Sequence, residues 1–281
     1  MKGVFDKMYK LVVSDMDGTL LNRKGMVSER NKRALKEILK KGVHVAIATG
    51  RIYTSAKVYA KYLGIVTPII ACNGAIVKDL HDDSIIYEKH IEPKDCFEVF
   101  DICRENQLYF HFYTADTFYT EKMEYSSLKY LEWNKTMNEK EQINIQIIDN
   151  PYELVSHFDE RVYKIQINSD DMELLEKTRK NLEQIENFEI SKSWFNNIEI
   201  MNRGVSKGNA VMHLAKSMGI KQEEVICFGD NENDISMLSY AGLGVAMGNA
   251  EELVKRSADH VTTSNDEDGV AEVIEKYILH I

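Results

Sequence analysis

A change of rhythm along the chain constrains its fold more than any single residue does. In the first and last thirds, short apolar runs alternate with amphipathic stretches of helical length, and in the middle they do not. Strands are expected at residues 11–14, 43–48 and 69–72, with helices at 28–41, where Ser28 is the N-cap, and at 52–63. The pattern resumes with a helix at 206–218, a strand at 225–228, a helix at 231–241 and a strand at 243–246. Two short helices, near 250–256 and 268–278, close it. Near-continuous apolar strands separated by helices predict a parallel sheet covered on both faces, a Rossmann-like doubly wound α/β core.

The middle reads differently. A helix is expected from Pro93, then an antiparallel hairpin in LYFHFYTADTFYTE. In that hairpin Tyr109, His111 and Tyr113 alternate with Phe110 and Phe112, which predicts one packed and one half-exposed face or, as the alternative, a face turned toward substrate. Strands are expected at 143–148 and 162–168, helices at 125–142 and 171–184, and a second hairpin across Phe195-Asn196-Asn197. The expectation is an inserted α+β domain, residues 84–200, within a core made of residues 1–83 and 201–281.

The net charge of -10 argues against nucleic acid or an anionic membrane as partner and leaves a small molecule. The four cysteines are scattered without a CxxC pair, the start MKGVFDKMYK has no apolar core of signal-peptide length, and no run spans a bilayer. A cytoplasmic protein, monomeric or a small homo-oligomer, is expected.

In an open parallel sheet, ligands bind beyond the carboxyl ends of the strands. Asp15 and Asp17 follow the first strand; Thr49, Gly50 and Arg51 the second; Asn73 and Gly74 the third. The segment GVSKGNA brings Lys207 to the start of a helix, and VICFGDNEND brings Asp230, Asn231, Asn233 and Asp234. Asp15, Asp17 and Asp230 at one sheet edge need a cation, and an all-oxygen set without His or Cys points to Mg²⁺ before Ca²⁺ or Mn²⁺. A metal beside a carboxylate, a hydroxyl, backbone amides and a lysine makes a phosphate-handling site, in which a carboxylate can attack phosphorus. Gly18 permits a sharp turn, which the Thr19 hydroxyl can tie back.

The segments DMDGTLL, ATGR, GVSKG and GDNEND, in that order, resemble the haloacid dehalogenase superfamily of aspartate-nucleophile phosphatases. The long insertion between NGA and GVSKG resembles the large α/β cap of its Cof-type subgroup, subclass IIB. The resemblance implies that Asp15 is nucleophile and magnesium ligand. It implies that Asp17 is general acid and then general base, with its backbone carbonyl on the metal. Met16, Thr49, Gly50, Lys207 and Asn233 fall to phosphate binding, and Asp230 to the metal. Asp234 would orient a metal water or Lys207. The implied activity is Mg²⁺-dependent hydrolysis of small phosphorylated metabolites, sugar phosphates being the commonest in the subgroup. Two alternatives stand beside it: a sugar phosphomutase, disfavoured by the few cap arginines (Arg104, Arg161, Arg179), and a non-catalytic sensor, disfavoured by the intact Asp17.

Overall fold

A computed structural model describes residues 9–157 and 161–281. Most of the opening segment read above for a signal peptide lies outside the described residues.

The described elements begin with β1 (Leu11–Ser14), wholly buried, and α1 (Glu29–Lys40), whose Ser28 cap accepts from the Asn31 amide at 3.0 Å. Next come β2 (His44–Ile47) and α2 (Tyr53–Leu63), ended by Gly64 in the left-handed region at φ 70°. A meander follows: β3 (Ile69–Ala71), β4 (Ile76–Lys78) and β5 (Ile85–Glu88), antiparallel throughout.

The insertion starts with α3 (Pro93–Glu105), its proline in the first turn. It continues through β6 (Tyr109–Tyr113), β7 (Thr117–Thr120), α4 (Ser126–Asn134), β8 (Asn144–Ile147), α5 (Pro151–His157) and β9 (Lys164–Asn168). Then come α6 (Met172–Leu182), capped by Asp171, β10 (Phe188–Ser191) and β11 (Asn197–Asn202). The expected helix over 125–142 stops at Asn134, whose side-chain amide pairs with both the N–H and the carbonyl of Ile143 at 2.8 Å.

The alternation returns with α7 (Lys207–Ser217), β12 (Val225–Gly229), α8 (Ile235–Tyr240), β13 (Leu243–Ala246), α9 (Glu252–Ser257), β14 (His260–Val261) and α10 (Gly269–Ile274). The helix expected from residue 231 begins instead with a 3₁₀ turn, Glu232–Asp234, because the Asp234 carboxylate caps that turn. The two-residue β14 carries too little pattern to be foreseen.

Five strands form a parallel sheet in the order β14-β13-β12-β1-β2, and β3 joins through one parallel bridge between Ala48 and Ile70. From β1 the chain moves outward to β2, and on its return it moves outward the other way from β12. The reversal therefore lies between β1 and β12, and the crevice beyond their carboxyl ends is where such a sheet binds ligands.

The insertion folds as a six-stranded sheet, β10-β11-β9-β6-β7-β8. One face packs Phe110, Phe112, Ile165, Ile167, Ile198 and Ile200 with Phe100, Leu175 and Leu182 of its helices into a core of its own. The opposite face, expected to be half-exposed, is covered: His111 is 0% and Tyr113 2% exposed, because this face lies against the parallel domain and α4. No described helix is long and apolar enough to cross a membrane.

Candidate active site

The floor of the crevice is a set of charges from three loops. Asp15, just past β1, receives the Lys207 ammonium on Oδ1 at 2.7 Å. The same ammonium donates to Asp234 Oδ1 at 2.6 Å, and the Lys207 and Asp234 side chains are fully buried. Asp234 Oδ2 accepts the backbone amides of Asp230 and Asn231 at 2.9 and 3.0 Å, so both its oxygens are engaged. Asp230 takes the Thr19 hydroxyl on Oδ1 at 2.6 Å and the Asn231 side chain on Oδ2 at 2.8 Å. Thr19 thus ties the loop after β1 to the loop after β12 rather than closing its own turn. Gly18 has two reasons to be glycine: a φ of +78°, and an added Cβ would sit 2.2 Å from Asp230 Oδ2.

One oxygen from each of Asp15, Asp230 and Asp234 lies within 4.8 Å of the others. Burial pushes the Asp15 carboxyl up to about 7; Lys207 opposes the rise, and the negative charges of Asp234 and Asp17 add to it. Asp230 is likewise held well above the ordinary carboxylate value, first by burial and then by Asp15 and Asp234. One lysine does not balance three buried carboxylates. With Asp234 committed to Lys207 and two amides, Asp15 and Asp230 remain as an all-oxygen donor pair, chemistry that fits a hard divalent cation.

Asp17 stands apart. Its carboxylate is 59% exposed and is held bidentately by Arg51, with Nε on Oδ2 and Nη2 on Oδ1, both at 2.6 Å. Enclosure in the pocket works to raise its pKa, but the Arg51 charge and hydrogen bonds outweigh this and hold it below the usual carboxylate value. Arg51 Nη1 is fixed in turn by Ser55 Oγ at 3.0 Å. The Met16 side chain lies in the core, which leaves only its backbone to serve a ligand. Thr49 Oγ1 accepts the Arg51 amide at 3.1 Å and, with Gly50, lines the pocket. Asn233 donates to Asn73 Oδ1 at 3.0 Å.

Above this floor opens a cavity of ≈ 640 Å³. Tyr125, Lys129, Tyr130 and Trp133 border it from α4 and its start, and Trp194 and Asn196 from the β10–β11 turn. Lys164, Gln166, Asn168 and Glu199 reach it from the polar face of β9 and β11. Sequence reasoning missed Lys164 and Glu199. The signal was present in KIQIN and NIEIM, where polar residues fall on one face of each strand.

The haloacid dehalogenase-like hydrolase family matches residues 12–274. A 5-amino-6-(5-phospho-D-ribitylamino)uracil phosphatase, YcsE of Bacillus subtilis, is 33% identical over 96% of this chain and 96% of its own. A solved haloacid dehalogenase-like hydrolase from B. subtilis superposes with a TM-score of 0.85 at 32% identity, covering 95% of this chain and 99% of that one. The subclass IIB sugar phosphatase BT4131 superposes with a TM-score of 0.80 at 26% identity, covering 95% and 98%.

Proposed function

This chain belongs to the haloacid dehalogenase-like hydrolases, as a Cof-type phosphatase of subclass IIB, and we propose that it hydrolyses small phosphorylated metabolites through an aspartyl-phosphate on Asp15. The observation that carries this reading is the Asp15–Lys207–Asp234 line: a buried carboxylate held by a cation at 2.7 Å, which is itself braced at 2.6 Å. An oxygen of Asp15 forms the bond to phosphorus as the bond to the ester oxygen breaks, and Asp17 gives that oxygen a proton. Water then attacks phosphorus and passes a proton to Asp17, and the departing Asp15 carboxylate is restored. The Arg51 clamp keeps Asp17 in the ionised form that accepts the proton of water; for the first step the carboxylate leaves the clamp and is protonated.

Lys207 holds both the nucleophile and the transferring phosphoryl group, and the amides of Met16 and Gly50, the Thr49 hydroxyl and Asn233 complete its cradle. Asp15, Asp230 and the Asp17 carbonyl are the groups that would hold Mg²⁺. The ion supplies charge neutralisation between phosphate and carboxylates. Asp234 fixes Lys207.

For the leaving group, a cavity walled by amides and aromatic rings suits a sugar phosphate or a phosphorylated sugar chain that bears a ring. BT4131 is a sugar phosphatase, and YcsE acts on a ribityl phosphate. Hydrolysis is favoured over phosphoryl return because the cap arginines are spent elsewhere: Arg104 on Glu121, Arg161 on Glu88, and Arg179 on Glu183 and Glu232. None of the three borders the cavity. Residues 84–200 are the proposed cap over a core of 1–83 and 201–281, with β5 just past the first junction still paired to β4 and β11 running across the second. Free buried thiols at all four cysteines fit a reducing cytoplasm.

The test is phosphate release with Mg²⁺ from a generic aryl phosphate and from a panel of sugar, nucleotide and cofactor phosphates. Turnover is expected with the wild type, and loss of about 10⁴-fold or more with Asp15→Asn. Full activity of that variant would refute the nucleophile.

A further inference from the structure

The most deeply buried ion pair above the floor belongs to the cap and not to the core. Lys164 of β9 and Glu199 of β11 meet at 2.7 Å, with side chains 2% and 1% exposed. Charges so far from water are costly to bury, and the opposite faces of the same strands are filled with isoleucine. The contacts of the pair show what it serves. Lys164 Nζ donates to the Gly50 carbonyl at 2.6 Å. Glu199 Oε2 accepts the Asn73 side chain at 2.8 Å, and Asn73 Oδ1 accepts that of Asn233 at 3.0 Å.

Gly50, Asn73 and Asn233 come from the loops after β2, β3 and β12, so two cap residues gather three core loops. Gly50 is closed in by this group: an added Cβ would lie 2.9 Å from Asn73 Oδ1, 3.4 Å from Glu199 Oε1 and 3.5 Å from Lys164 Nζ. Asn73 itself sits in the left-handed region at φ 57°, a conformation that its side-chain bonds to Glu199, Asn233 and the Met201 sulfur help to hold. At the end of the line the Asn233 side-chain oxygen Oδ1 is buried without a hydrogen-bond partner, on a residue 8% exposed at the cavity wall. An orphaned acceptor beside the site is a place for a donor carried in with ligand.

We propose that Lys164 and Glu199 are positioning residues through which the docked cap sets the phosphate-binding turn at Gly50 and the amide of Asn233. This rests on the reading of Gly50 and Asn233 as phosphate-binding groups. The phosphate site is then complete only with the cap down, so enclosure of the leaving group and readiness of the cradle are one event. An ester whose leaving group props the cap open loses phosphate binding as well as shielding from water.

The test is calorimetric binding of inorganic phosphate, with Mg²⁺ present, to the wild type, to Glu199→Gln, and to the double variant Lys164→Met/Glu199→Gln. Removing both charges together avoids a lone buried charge, so the double variant is expected to melt close to the wild type. Its dissociation constant for phosphate is expected to rise tenfold or more, and that of Glu199→Gln to rise in the same direction. A merely structural pair would move the melting temperature and not the affinity. Variants that melt like the wild type and bind phosphate within twofold of it overturn the proposal, and Glu199→Gln decides alone if the double variant does not fold. Turnover of the aryl phosphate is measured beside binding. A wild type that binds phosphate but releases none from esters refutes the hydrolytic reading and leaves the comparison intact, whereas one that binds no phosphate overturns both.

Discussion

The floor and the roof of the site solve the problem of buried charge in opposite ways. On the floor Asp15, Asp230 and Asp234 crowd around one lysine, and their charges remain unbalanced within the chain. In the roof the charges that reach the cavity from deep in the fold are matched one to one: Lys164 with Glu199. An unbalanced cluster is poised to take a cation and a phosphate; a balanced one holds shape. Chemistry and positioning are thus divided between the parallel sheet's edge and the parts that close over it.

The largest effect is expected at the floor, where one residue serves two carboxylates. Lys207→Met leaves Asp15 and Asp234 buried without their cation. It is expected to cost about 3–5 kcal/mol of stability and to lower kcat/KM by about 10²–10³-fold. Thermal unfolding and steady-state kinetics check this. Turnover near wild type in a folded Lys207→Met protein would show that the floor does not act as a unit.

The same contrast explains what could be read from the sequence. Each floor residue stands just beyond a strand or at the start of a helix, so a short local motif announces it: DMDGT, GVSKG and GDNEND carry Asp15, Lys207, Asp230 and Asp234. The pairing of Asp17 with Arg51 depends on the parallel register that sets Ser14 beside Ile47, and no local pattern states it. For Lys164 and Glu199 the alternation of KIQIN and NIEIM gives a polar face. Whether that face meets water or a second domain is decided by how the whole six-stranded sheet docks. The error at Tyr109–Tyr113 has the same origin, since a face buried by another domain looks, along the strand, like a face turned to solvent. The unforeseen break after Asn134 turns on one side chain closing against Ile143.

An intermediate effect separates the two regions by pH. Asp15, raised to about 7, and Asp230, raised as well, bind protons in the folded protein that the unfolded chain releases at neutral pH. Their contribution to stability is full below the ordinary carboxylate pKa and is lost as pH rises through the folded value. Glu199 has the opposite sign. Burial works to raise its pKa, but Lys164, Asn73 and Ser193 lower it below 4.5. The stability it contributes is present above that value and is lost only as pH falls through the folded one. Metal-free protein is therefore expected to melt several degrees higher at pH 6 than at pH 8, at about 2–4 °C for each kcal/mol. Mg²⁺ at pH 8 is expected to restore most of the difference. A melting temperature in EDTA that climbs steadily from pH 6 to pH 8 would show that the floor is not short of positive charge.

The smallest effect is expected where cap and core meet near water. Arg179 of α6 holds Glu232 with Nη2 on Oε1 at 2.6 Å and Nη1 on Oε2 at 3.1 Å, beside the loop that carries Asn233. Both side chains keep about a fifth of their exposure (21% and 19%), so solvent screens the pair. Such contacts contribute about 1 kcal/mol or less, which is at most about fivefold in an equilibrium. Arg179→Ala is expected to raise KM for a sugar phosphate by no more than about fivefold and to leave kcat near wild type. Added salt should weaken the wild type toward the variant and change the variant little. If Arg179→Ala instead lowered kcat as far as Lys207→Met, an exposed contact of the roof would be governing the chemistry of the floor, and the division between the two would fail at the loop they share.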